Sequence, residues 1–482
     1  MPHILFIASE CAPYVKSGGL GDVIGSLPQA IAAEGYEISV MLPLYGEIDS
    51  QFRDRMEFLG SIFVPLSWRK QYAGLFRLKE KLVTYYFVDN RYYFDRGGLY
   101  GSFDDGERFA FFSKASLELL PHLDSFPDIL HCNDWQTGMI PVYYKTQYAG
   151  RELYRHIRTV FTIHNIEYQG KYNHAMLGDI LGLSGFHLGL LDLDGLLNYM
   201  KGAIVSCDAL TTVSPTYAEE IRYPFFGQGM EGILRENAYK LKGILNGIDE
   251  TLYNPATDPD IPYHYDKASA QTKAKNKEAL ACELNLSYNH KIPLIGMVTR
   301  LVHHKGIDLV KGVFDELMQQ NLQLVILGTG DAAYETWFRE RAWHYQGQFS
   351  LITAFSSSLA SRIYAGADFF LMPSISEPCG LSQMIALKYG TIPIVRKTGG
   401  LGDSIRPFSP KGIKGNGFTF ETINAHDMLD AVQRGLSFYD DAKLWKRLIR
   451  NAFESDFSWK HSAGEYISIY NNIYGTTTHR KG

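Results

Sequence analysis

A seven-residue pattern, Lys-[Ser/Thr]-Gly-Gly-Leu-Gly-Asp, occurs twice in this chain and sharply limits the folds open to it. The copies begin at Lys16 and Lys397, and each follows a short apolar run, residues 4–8 or 392–395. In doubly wound α/β domains, a buried strand that leads into a glycine-rich turn and a helix presents backbone N–H groups to a phosphate. The two copies therefore predict two nucleotide-fold domains that face each other across a cleft.

Further short apolar runs alternate with amphipathic segments along the whole chain. These runs are residues 38–42, 83–88, 128–131, 159–164 and 210–213 in the first half, and 293–298, 322–327, 368–372 and 391–395 in the second. Because the runs are continuously apolar rather than alternating, they predict parallel sheets that are covered on both faces. The fold class is therefore α/β.

The predicted domain boundaries follow a segment of linker composition. Residues 246–263 carry three prolines among Asn and Asp residues, which is typical of a connection. We expect an N-terminal Rossmann-like domain at 1–245 and a C-terminal one at 246–455. The remaining segment, 456–482, is expected to form a helix that returns to the N-terminal domain.

The composition is that of an ordinary globular protein, and it argues against several classes of main partner. Of the 482 residues 45% are apolar, the net charge is −5 and no Lys/Arg-rich stripe is present, which argues against nucleic acid or an anionic membrane. Five scattered cysteines without Cys-x-x-Cys spacing exclude a zinc ribbon and fit a reducing compartment. Since no signal peptide or membrane-length apolar run is present, we expect a bacterial cytoplasmic protein, or a plastid one if a precursor was trimmed.

The first glycine loop differs from two common nucleotide-binding motifs. In a dinucleotide fingerprint Gly19-Leu-Gly21 would be completed by a third glycine, but Ile24 stands there. No P-loop of the form Gly-x4-Gly-Lys-[Ser/Thr] occurs either. The loop suits a different task, in which its glycines admit a diphosphate and Lys16 reaches toward the substrate.

Charged and glycine residues follow several predicted strands of the second half, at the sheet edge where α/β proteins bind ligands. Arg300 and Lys305 follow one strand, and together with the amides of Gly328-Thr-Gly330 they form a candidate diphosphate clamp. Glu377, in Glu377-Pro-Cys-Gly380, follows a later strand and can accept hydrogen bonds from sugar hydroxyls, beside amides at a helix start.

As a set, these motifs resemble those of bacterial glycogen synthases and plant starch synthases, which are retaining glycosyltransferases of the GT-B fold. They occur in family order over nearly the whole chain. The matching segments are residues 16–22, 93–101, 134–135, 163–165, 168–170, 213–215, 246–249, 300 with 305, 377–380 and 398–400. The resemblance implies two doubly wound Rossmann-like domains that face each other across a deep cleft.

The resemblance also implies which residues bind the donor's nucleoside diphosphate. The diphosphate would be bound by Lys16, Gly18, Gly19, Arg300 and Lys305. An aromatic side chain, Phe355, would cover the adenine. Further substrate-binding candidates are Asp22, Asn165, Gly330 and Leu381.

The same resemblance assigns the contacts to the sugar and the acceptor. Glu377 would hold the glucose 3- and 4-hydroxyls with backbone help from Cys379 and Gly380. His164 would contact the 6-hydroxyl, and Asp134 and Asn246 would complete the sugar site. Apart from the resemblance, Tyr92, Tyr93, Tyr100 and Tyr168 lie in glycine-rich loops where rings can stack on an acceptor glucan, and we expect Tyr93 to do so while the others stay open. The implied catalytic residues are His164, Glu377, Lys305, Arg300 and Asp134.

Two departures from the family pattern limit what is carried over. Gln136 stands where many relatives have histidine, so histidine-based roles beside Asp134 are not transferred. Ile385 stands where the wider superfamily often has a second glutamate, which removes a proposed ribose ligand. Asp192-Leu-Asp194 resembles a metal-binding Asp-x-Asp but lies in a leucine-rich segment, so we expect it to be structural. No metal or other cofactor is implied.

The implied reaction is glucosyl transfer from ADP-glucose to the non-reducing 4-hydroxyl of an α-1,4-glucan, with retention of configuration. The route stays open between a covalent Asp134 intermediate and same-face attack. Alternatives are a related enzyme with a small sugar acceptor or UDP-glucose, and a non-enzymatic nucleotide-sugar-binding protein. We also expect the two domains to close about hinges after Asn246 and near residues 455–459, which would exclude water.

Overall fold

The computed structural model describes residues 1–411 and 415–478, and the chain divides into two units. Unit 1 combines Met1–Gly247 with the end of the chain from Trp459, and unit 2 is Ile248–Ser458. The sequence-based boundaries are 245/246 and 455/456. Residues 412–414 and 479–482 of the predicted domains lie outside the described residues.

Unit 1 is built around a mostly parallel sheet. Its strands, with those of a small second sheet, are β1 (His3–Ile7), β2 (Glu37–Pro43), β3 (Glu57–Leu66), β4 (Arg69–Glu80), β5 (Val83–Asp89), β6 (Ile129–Asn133), β7 (Arg158–Ile163), β8 (Lys171–Tyr172), β9 (Asp192–Leu193), β10 (Leu196–Asn198), β11 (Ala209–Thr212) and β12 (Leu241–Gly243). The main sheet has the order β12-β11-β7-β6-β1-β2-β5-β4-β3. In this order the strands from β12 at one edge through β5 are mutually parallel. At the other edge, β4 and β3 add an antiparallel hairpin. The small sheet, β8-β10-β9, is antiparallel.

Unit 2 contains a parallel sheet. Its strands are β13 (Leu294–Val298), β14 (Gln323–Leu327), β15 (Phe349–Ile352), β16 (Phe369–Met372), β17 (Ile392–Arg396) and β18 (Phe418–Phe420). Their order is β15-β14-β13-β16-β17-β18, and the pairings in the described residues are parallel. Every residue of β14 is buried, as its continuous apolar run predicts. The predicted α/β class with parallel sheets is confirmed.

Helices connect the parallel strands. In unit 1 they are α1 (Gly19–Ala33), α2 (Ser50–Arg53), α3 (Arg91–Phe94), α4 (Asp105–Glu118), α5 (Met139–Tyr143), α6 (Met176–Asp179), α7 (Leu188–Leu191), α8 (Tyr199–Ser206), α9 (Pro215–Glu220), α10 (Pro224–Gly227) and α11 (Glu231–Glu236). In unit 2 they are α12 (Lys273–Glu283), α13 (Ile307–Gly312), α14 (Phe314–Met318), α15 (Ala332–His344), α16 (Ser357–Gly366), α17 (Ser382–Lys388), α18 (Gly399–Ser404), α19 (Ala425–Tyr439) and α20 (Ala442–Phe453). Single 3-10 turns are Leu120–His122, Trp135–Thr137, Gly185–His187, Ala238–Lys240, Ala270–Thr272 and His303–Lys305, and Tyr144–Tyr148 is a π turn.

The last helix, α21 (Trp459–Thr478), brings the end of the chain into unit 1. It packs on α1, and the hydroxyl of the fully buried Tyr470 lies 2.7 Å from Nδ1 of His131 on β6. Lys242 on β12 forms a 3.0 Å salt bridge with Glu465. Across residues 1–411 and 415–478, we find no helix with both the length and the apolarity needed to cross a membrane.

In each unit the chain changes direction across the sheet at one pair of neighbouring parallel strands. From β1 the chain proceeds to β2 and β5 on one side and later to β6 and β7 on the other, so the switch point of unit 1 lies between β1 and β6. By the same argument the switch point of unit 2 lies between β13 and β16. Doubly wound sheets bind ligands outside the carboxyl ends of such strands. The topology therefore marks one candidate site in each unit.

Candidate active site

The predicted donor-binding residues of unit 2 follow neighbouring strands at the carboxyl edge of the sheet. Phe355 follows β15, residues 328–330 follow β14, Arg300 and Lys305 follow β13, and Glu377 follows β16. Since the strands lie in this order, an aromatic ring, a glycine turn, two cations and a carboxylate succeed one another along the edge. The cations and the carboxylate flank the switch point, where a ligand is expected.

Glu377 is held through one of its two carboxylate oxygens. The residue is 6% exposed, and its Oε2 accepts hydrogen bonds from Lys305 Nζ at 2.7 Å and from Ser374 Oγ at 2.9 Å. Among the described residues none donates to Oε1. One oxygen is therefore fixed, while the other is able to accept hydrogen bonds from a ligand.

A close contact between two loops places Lys305 beside Glu377. The backbone N–H of Ile375 donates to the carbonyl of His304 at 2.8 Å. Gly306 permits this approach, because its φ is +71° and a Cβ there would lie 2.0 Å from the carbonyl oxygen of Pro373. The ion pair between Lys305 and Glu377 thus depends on a glycine that directly follows the lysine.

Arg300 and Phe355 are accessible to a ligand. The Arg300 residue is exposed, and no salt bridge in the described part of the chain involves its guanidinium. Phe355 is 90% exposed, so its ring is available to stack on a ligand.

The structure corrects the prediction for two of the three amides of the 328–330 turn, because those of Gly328 and Gly330 are not free to bind a diphosphate. Gly328 N–H donates to Ile352 O, and Gly330 N–H donates to Glu335 Oε1, both at 3.0 Å. Gly330 serves a different purpose, since a Cβ at this position would lie 2.1 Å from Leu301 O. The predicted clamp is therefore reduced to the two cations and the amide of Thr329.

The structure also corrects the interpretation of the second motif copy as a phosphate loop. Gly400 N–H donates to the carbonyls of Glu377 and Pro378, both at 3.2 Å. A Cβ at Gly399 would lie 2.0 Å from Glu377 O, and one at Gly400 would lie 2.1 Å from Cys379 O. These glycines admit neighbouring backbone rather than a phosphate.

The turn after Glu377 is braced by the first residues of α17. Gln383 Nε2 donates to the carbonyls of Cys379 at 3.1 Å and Gly380 at 2.9 Å. Gly380 has a φ of +70°, which glycine adopts without strain, and Leu381 directly precedes α17. The predicted sugar contacts from this backbone stay a prediction.

The first motif copy in unit 1 has open surroundings. Helix α1 begins at Gly19, and a Cβ at Gly18 or Gly19 would meet no atom within 4 Å. Lys16 Nζ donates to Asp22 Oδ1 at 2.8 Å on the exposed side of the loop. Space for a ligand therefore exists at this copy of the motif, in contrast to the second.

Glu10 is a residue of this loop that the sequence analysis missed. It is 4% exposed, and its carboxylate accepts hydrogen bonds from Ser17 N–H at 2.5 Å, Gly18 N–H at 3.1 Å and Tyr100 O–H at 2.6 Å. The first amides of the loop therefore bind a carboxylate of the protein itself. An acidic residue shortly after the first strand was the available signal.

Asp134 and His164 meet because they follow neighbouring parallel strands, β6 and β7. Asp134 Oδ1 accepts hydrogen bonds from the backbone N–H groups of His164 at 2.7 Å and Asn165 at 3.4 Å. Asp134 has a φ of +55°, a conformation that costs a non-glycine residue about 1–3 kcal/mol and is often found at functional sites. Burial raises the pKa of Asp134 to about 7.

Burial lowers the pKa of His164 to about 3, so its imidazole is neutral near pH 7. Its Nε2 lies 3.0 Å from Asn133 Oδ1. The Asn133 amide donates through Nδ2 to Ile7 O, so its oxygen faces the histidine and Nε2 carries the ring proton. Nδ1 is then a hydrogen-bond acceptor, which suits a contact with a sugar hydroxyl.

Asn246 and Tyr93 are both buried, but they differ in whether their polar atoms have hydrogen-bond partners. Asn246 is 5% exposed, and its Oδ1 has no hydrogen-bond partner among the described residues. Tyr93 is fully buried, packs on Phe111 and donates its hydroxyl to Glu107 at 2.6 Å. Its predicted stacking on a glucan is corrected, because the ring has no exposed face.

Asp192 and Asp194 belong to a small hairpin. Asp192 Oδ1 lies 2.7 Å from His174 Nε2, while Asp194 and Gly195 form the turn between β9 and β10 with φ values of +53° and +79°. An Asp-Gly pair is favoured in such two-residue turns. In the described ranges, no group of three or more His, Cys, Asp or Glu residues could hold a metal ion.

The comparisons with known proteins agree with these features. Residues 3–236 match the family model described as the starch synthase catalytic domain, and residues 285–455 match glycosyl transferases group 1. The glycogen synthase of Alkaliphilus metalliredigens is 48% identical over 473 residues, which are 98% of this chain and 100% of that protein. This chain belongs to the glycogen synthase family. The glycogen synthase of Geobacillus thermodenitrificans is 47% identical over 478 residues, 99% of each chain.

Solved structures extend the relationship of this glycogen synthase family member. The catalytic domain of starch synthase IV from Arabidopsis thaliana, bound to ADP and acarbose, matches with a TM-score of 0.90 and 35% identity over 98% of this chain and 99% of that one. The sucrose-phosphate synthase of Thermosynechococcus elongatus, at a TM-score of 0.61 and 16% identity over 99% of this chain and 100% of that one, shows the fold alone. The predicted family and GT-B fold are confirmed, and the protein is a hexosyltransferase.

Proposed function

We propose that this protein transfers glucose from ADP-glucose to the non-reducing 4-hydroxyl of an α-1,4-glucan, with retention of configuration. The observation that carries the proposal is the order of groups along the carboxyl edge of the unit 2 sheet. An exposed aromatic ring, two cations and a buried carboxylate follow one another there, in the same order as base, diphosphate and sugar in a nucleotide sugar. The relatives named glycogen synthase and the starch synthase solved with ADP support glucan and adenine as the partners.

Arg300 and Lys305 are assigned to the leaving group. Negative charge develops on the diphosphate as the glycosidic bond breaks, and cations already in place stabilise this charge. Lys305 is held in place by its ion pair with Glu377. The remaining oxygen of Glu377 is assigned to the glucose hydroxyls, so the same pair links the sugar to its leaving group.

His164 and Asp134 are assigned to the glucosyl group. A neutral His164 accepts a hydrogen bond from a sugar hydroxyl, and an ionised Asp134 stabilises positive charge at the anomeric carbon, either at a distance or as the nucleophile of a covalent intermediate. The carboxylate oxygen of Asp134 that bonds to the two amides is held in a defined position.

The test is a transfer assay with radiolabelled donors and glycogen. We expect label from ADP-glucose to enter the polymer, and an exo-hydrolase that starts at non-reducing ends to release it first. UDP-glucose should give a lower kcat/KM, and EDTA should leave the rate unchanged. A clear preference for UDP-glucose would refute the donor assignment, and transfer to maltose or glucose alone would refute the polymer acceptor.

A further inference from the structure

The guanidinium of Arg396 is buried against the loop that carries Glu377. Arg396 ends β17, directly before the second motif copy, and is 5% exposed. Its Nε donates to Ser374 O at 2.8 Å and its Nη2 to Ile375 O at 2.5 Å, while Nη1 donates to Glu421 O at 3.1 Å. A planar guanidinium can fix two consecutive carbonyls in this way, whereas a lysine ammonium acts from a single point.

Ser374 connects this backbone contact to the Glu377 carboxylate. Its carbonyl accepts the hydrogen bond from Arg396, and its hydroxyl donates to Glu377 Oε2 at 2.9 Å. From the other side, Gly400 N–H donates to the Glu377 carbonyl at 3.2 Å. The end of β17 and the start of α18 therefore brace this loop before and after the carboxylate.

We propose that Arg396 is a positioning residue, which holds the 374–377 loop so that Glu377 presents Oε1 to the glucosyl group. This inference rests on the proposed function and extends it to the second motif copy, whose glycines and preceding arginine support the sugar-binding carboxylate. Of the groups assigned to ADP, Arg300 and Phe355 lie on other loops, whereas Lys305 is shared with this loop through its ion pair with Glu377. Arg396 should therefore matter for ADP-glucose but much less for ADP, which has no glucosyl group.

The first test is Arg396→Lys in the full-length protein, with two readouts. We expect kcat/KM for ADP-glucose to fall about 10- to 100-fold, because small displacements of a contact group have effects of this size. The Kd for ADP, measured by calorimetry, should rise by a clearly smaller factor than kcat/KM falls, because ADP keeps Arg300 and Phe355 and lacks the glucosyl group. The matched control is Arg434→Lys, since Arg434 Nη2 also donates to a strand carbonyl, Thr419 O at 2.8 Å, but does not touch the loop. The control should leave both values unchanged.

A second variant, Ser374→Ala, removes the hydroxyl that donates to Glu377 and tests the same contact if Arg396→Lys does not fold. It should lower kcat/KM by a clearly larger factor than the ADP affinity, and the double variant should lose less than the product of the two single effects, because both act through one contact. An unchanged kcat/KM in folded Arg396→Lys or in Ser374→Ala would overturn the proposal. So would a double variant whose loss of kcat/KM equals the product of the two single losses, or an ADP affinity that falls by the same factor as kcat/KM. A wild type that transfers no glucose from ADP-glucose would instead refute the proposed function.

Discussion

Single residues at the unit 2 switch point differ in how firmly the protein holds them. The side chain of Lys305 is 19% exposed and paired with Glu377, whereas Arg300 is exposed. Truncating an exposed cationic side chain changes the free energy of unfolding of the ligand-free protein very little. We therefore expect the two cations to contribute similarly to the reaction but differently to stability.

Arg300→Ala and Lys305→Ala should each lower kcat about 100-fold, since one preorganised contact to developing charge contributes about 3 kcal/mol. Arg300→Ala should leave the melting temperature unchanged, while Lys305→Ala should lower it, because the buried Glu377 carboxylate loses its cation. Steady-state kinetics and thermal denaturation measure both effects. Arg339→Ala, an exposed arginine on α15, is the control, and near wild-type turnover in both variants would contradict the diphosphate assignment.

The raised pKa of Asp134 predicts a pH dependence of activity. If the ionised carboxylate is the active form, kcat/KM should rise with pH through about 7, the pKa to which burial raises this group. His164 does not titrate in this range, because its pKa is lowered to about 3. The Asp134→Asn variant should lose most activity and the step near pH 7, and an unchanged pH profile would contradict the assignment.

The same raised pKa predicts that Asp134→Asn, although less active, is more stable than the wild type at high pH. Because the pKa of Asp134 is higher in the folded than in the unfolded state, the stability that its protonation contributes is largest below about pH 4 and is lost as pH rises through about 7. Asp134→Asn should therefore be more stable than the wild type at pH 8, with the difference shrinking toward pH 4. Thermal denaturation across this range measures it, and a variant less stable at pH 8 would show that the buried charge is better compensated than we infer.

At the scale of elements, helix α12 is attached to the amino-terminal edge of the unit 2 sheet by two buried lysines. Lys273 Nζ donates to the carbonyls of Tyr364 and Ala365, both at 2.9 Å. Lys277 Nζ donates to Asp368 Oδ2 at 2.6 Å, with side chains only 5% and 13% exposed. The catalytic edge is at the opposite ends of these strands, so this attachment supports the sheet rather than the chemistry.

Lys277→Met should destabilise unit 2 by about 3–5 kcal/mol, because it leaves the Asp368 carboxylate buried without its cation. The double variant Lys277→Met/Asp368→Asn should recover part of this loss. As a control, Arg362→Met breaks a more exposed pair with Glu283 and should cost about 1 kcal/mol or less. Denaturant unfolding measures all three, and equal costs for the two single variants would contradict the difference in burial.

At the scale of the whole molecule, unit 1 is discontinuous in sequence and unit 2 is not. The chain leaves unit 1 after Gly247 and returns at Trp459 with α21. Tyr470 of that helix is fully buried, and its hydroxyl pairs with His131, whose other ring nitrogen lies 2.6 Å from Thr162 Oγ1. The stability of unit 1 therefore depends on residues that follow unit 2 in the chain.

Tyr470→Phe should reduce the protection of β1 and β6 against hydrogen exchange and leave unit 2 strands unchanged. The variant removes only the hydroxyl and leaves His131 Nδ1 without a partner, at a cost of about 1–3 kcal/mol. Tyr474→Phe on the same helix, where the tyrosine is partly exposed, is the control. Equal loss of protection in both units would contradict this local dependence.

Much of the fold could be predicted because burial between helices demands continuous apolar strands. The runs at 38–42 and 159–164 became β2 (Glu37–Pro43) and β7 (Arg158–Ile163). The hairpin of β3 and β4 was not predicted: its outer strand contains the apolar run 62–66 but is largely exposed, unlike a strand covered on both faces. The placement of Arg300 and Glu377 at one edge of the sheet could be predicted because the carboxyl ends of parallel strands share that edge.

The sequence by itself determined that both motif copies form a loop that enters a helix, at Gly19 and at Gly399. Only the tertiary structure decided what each loop does. Gly18 and Gly19 face open space, whereas Gly399 and Gly400 face the backbone of residues 377–379. The physical reason is that a local pattern limits the conformation of its own backbone, while strand order decides which distant segment packs against it. The same reason explains why Tyr93 was misjudged, since its burial depends on α4, and why Glu10 was missed, since its partners come from two separate loops.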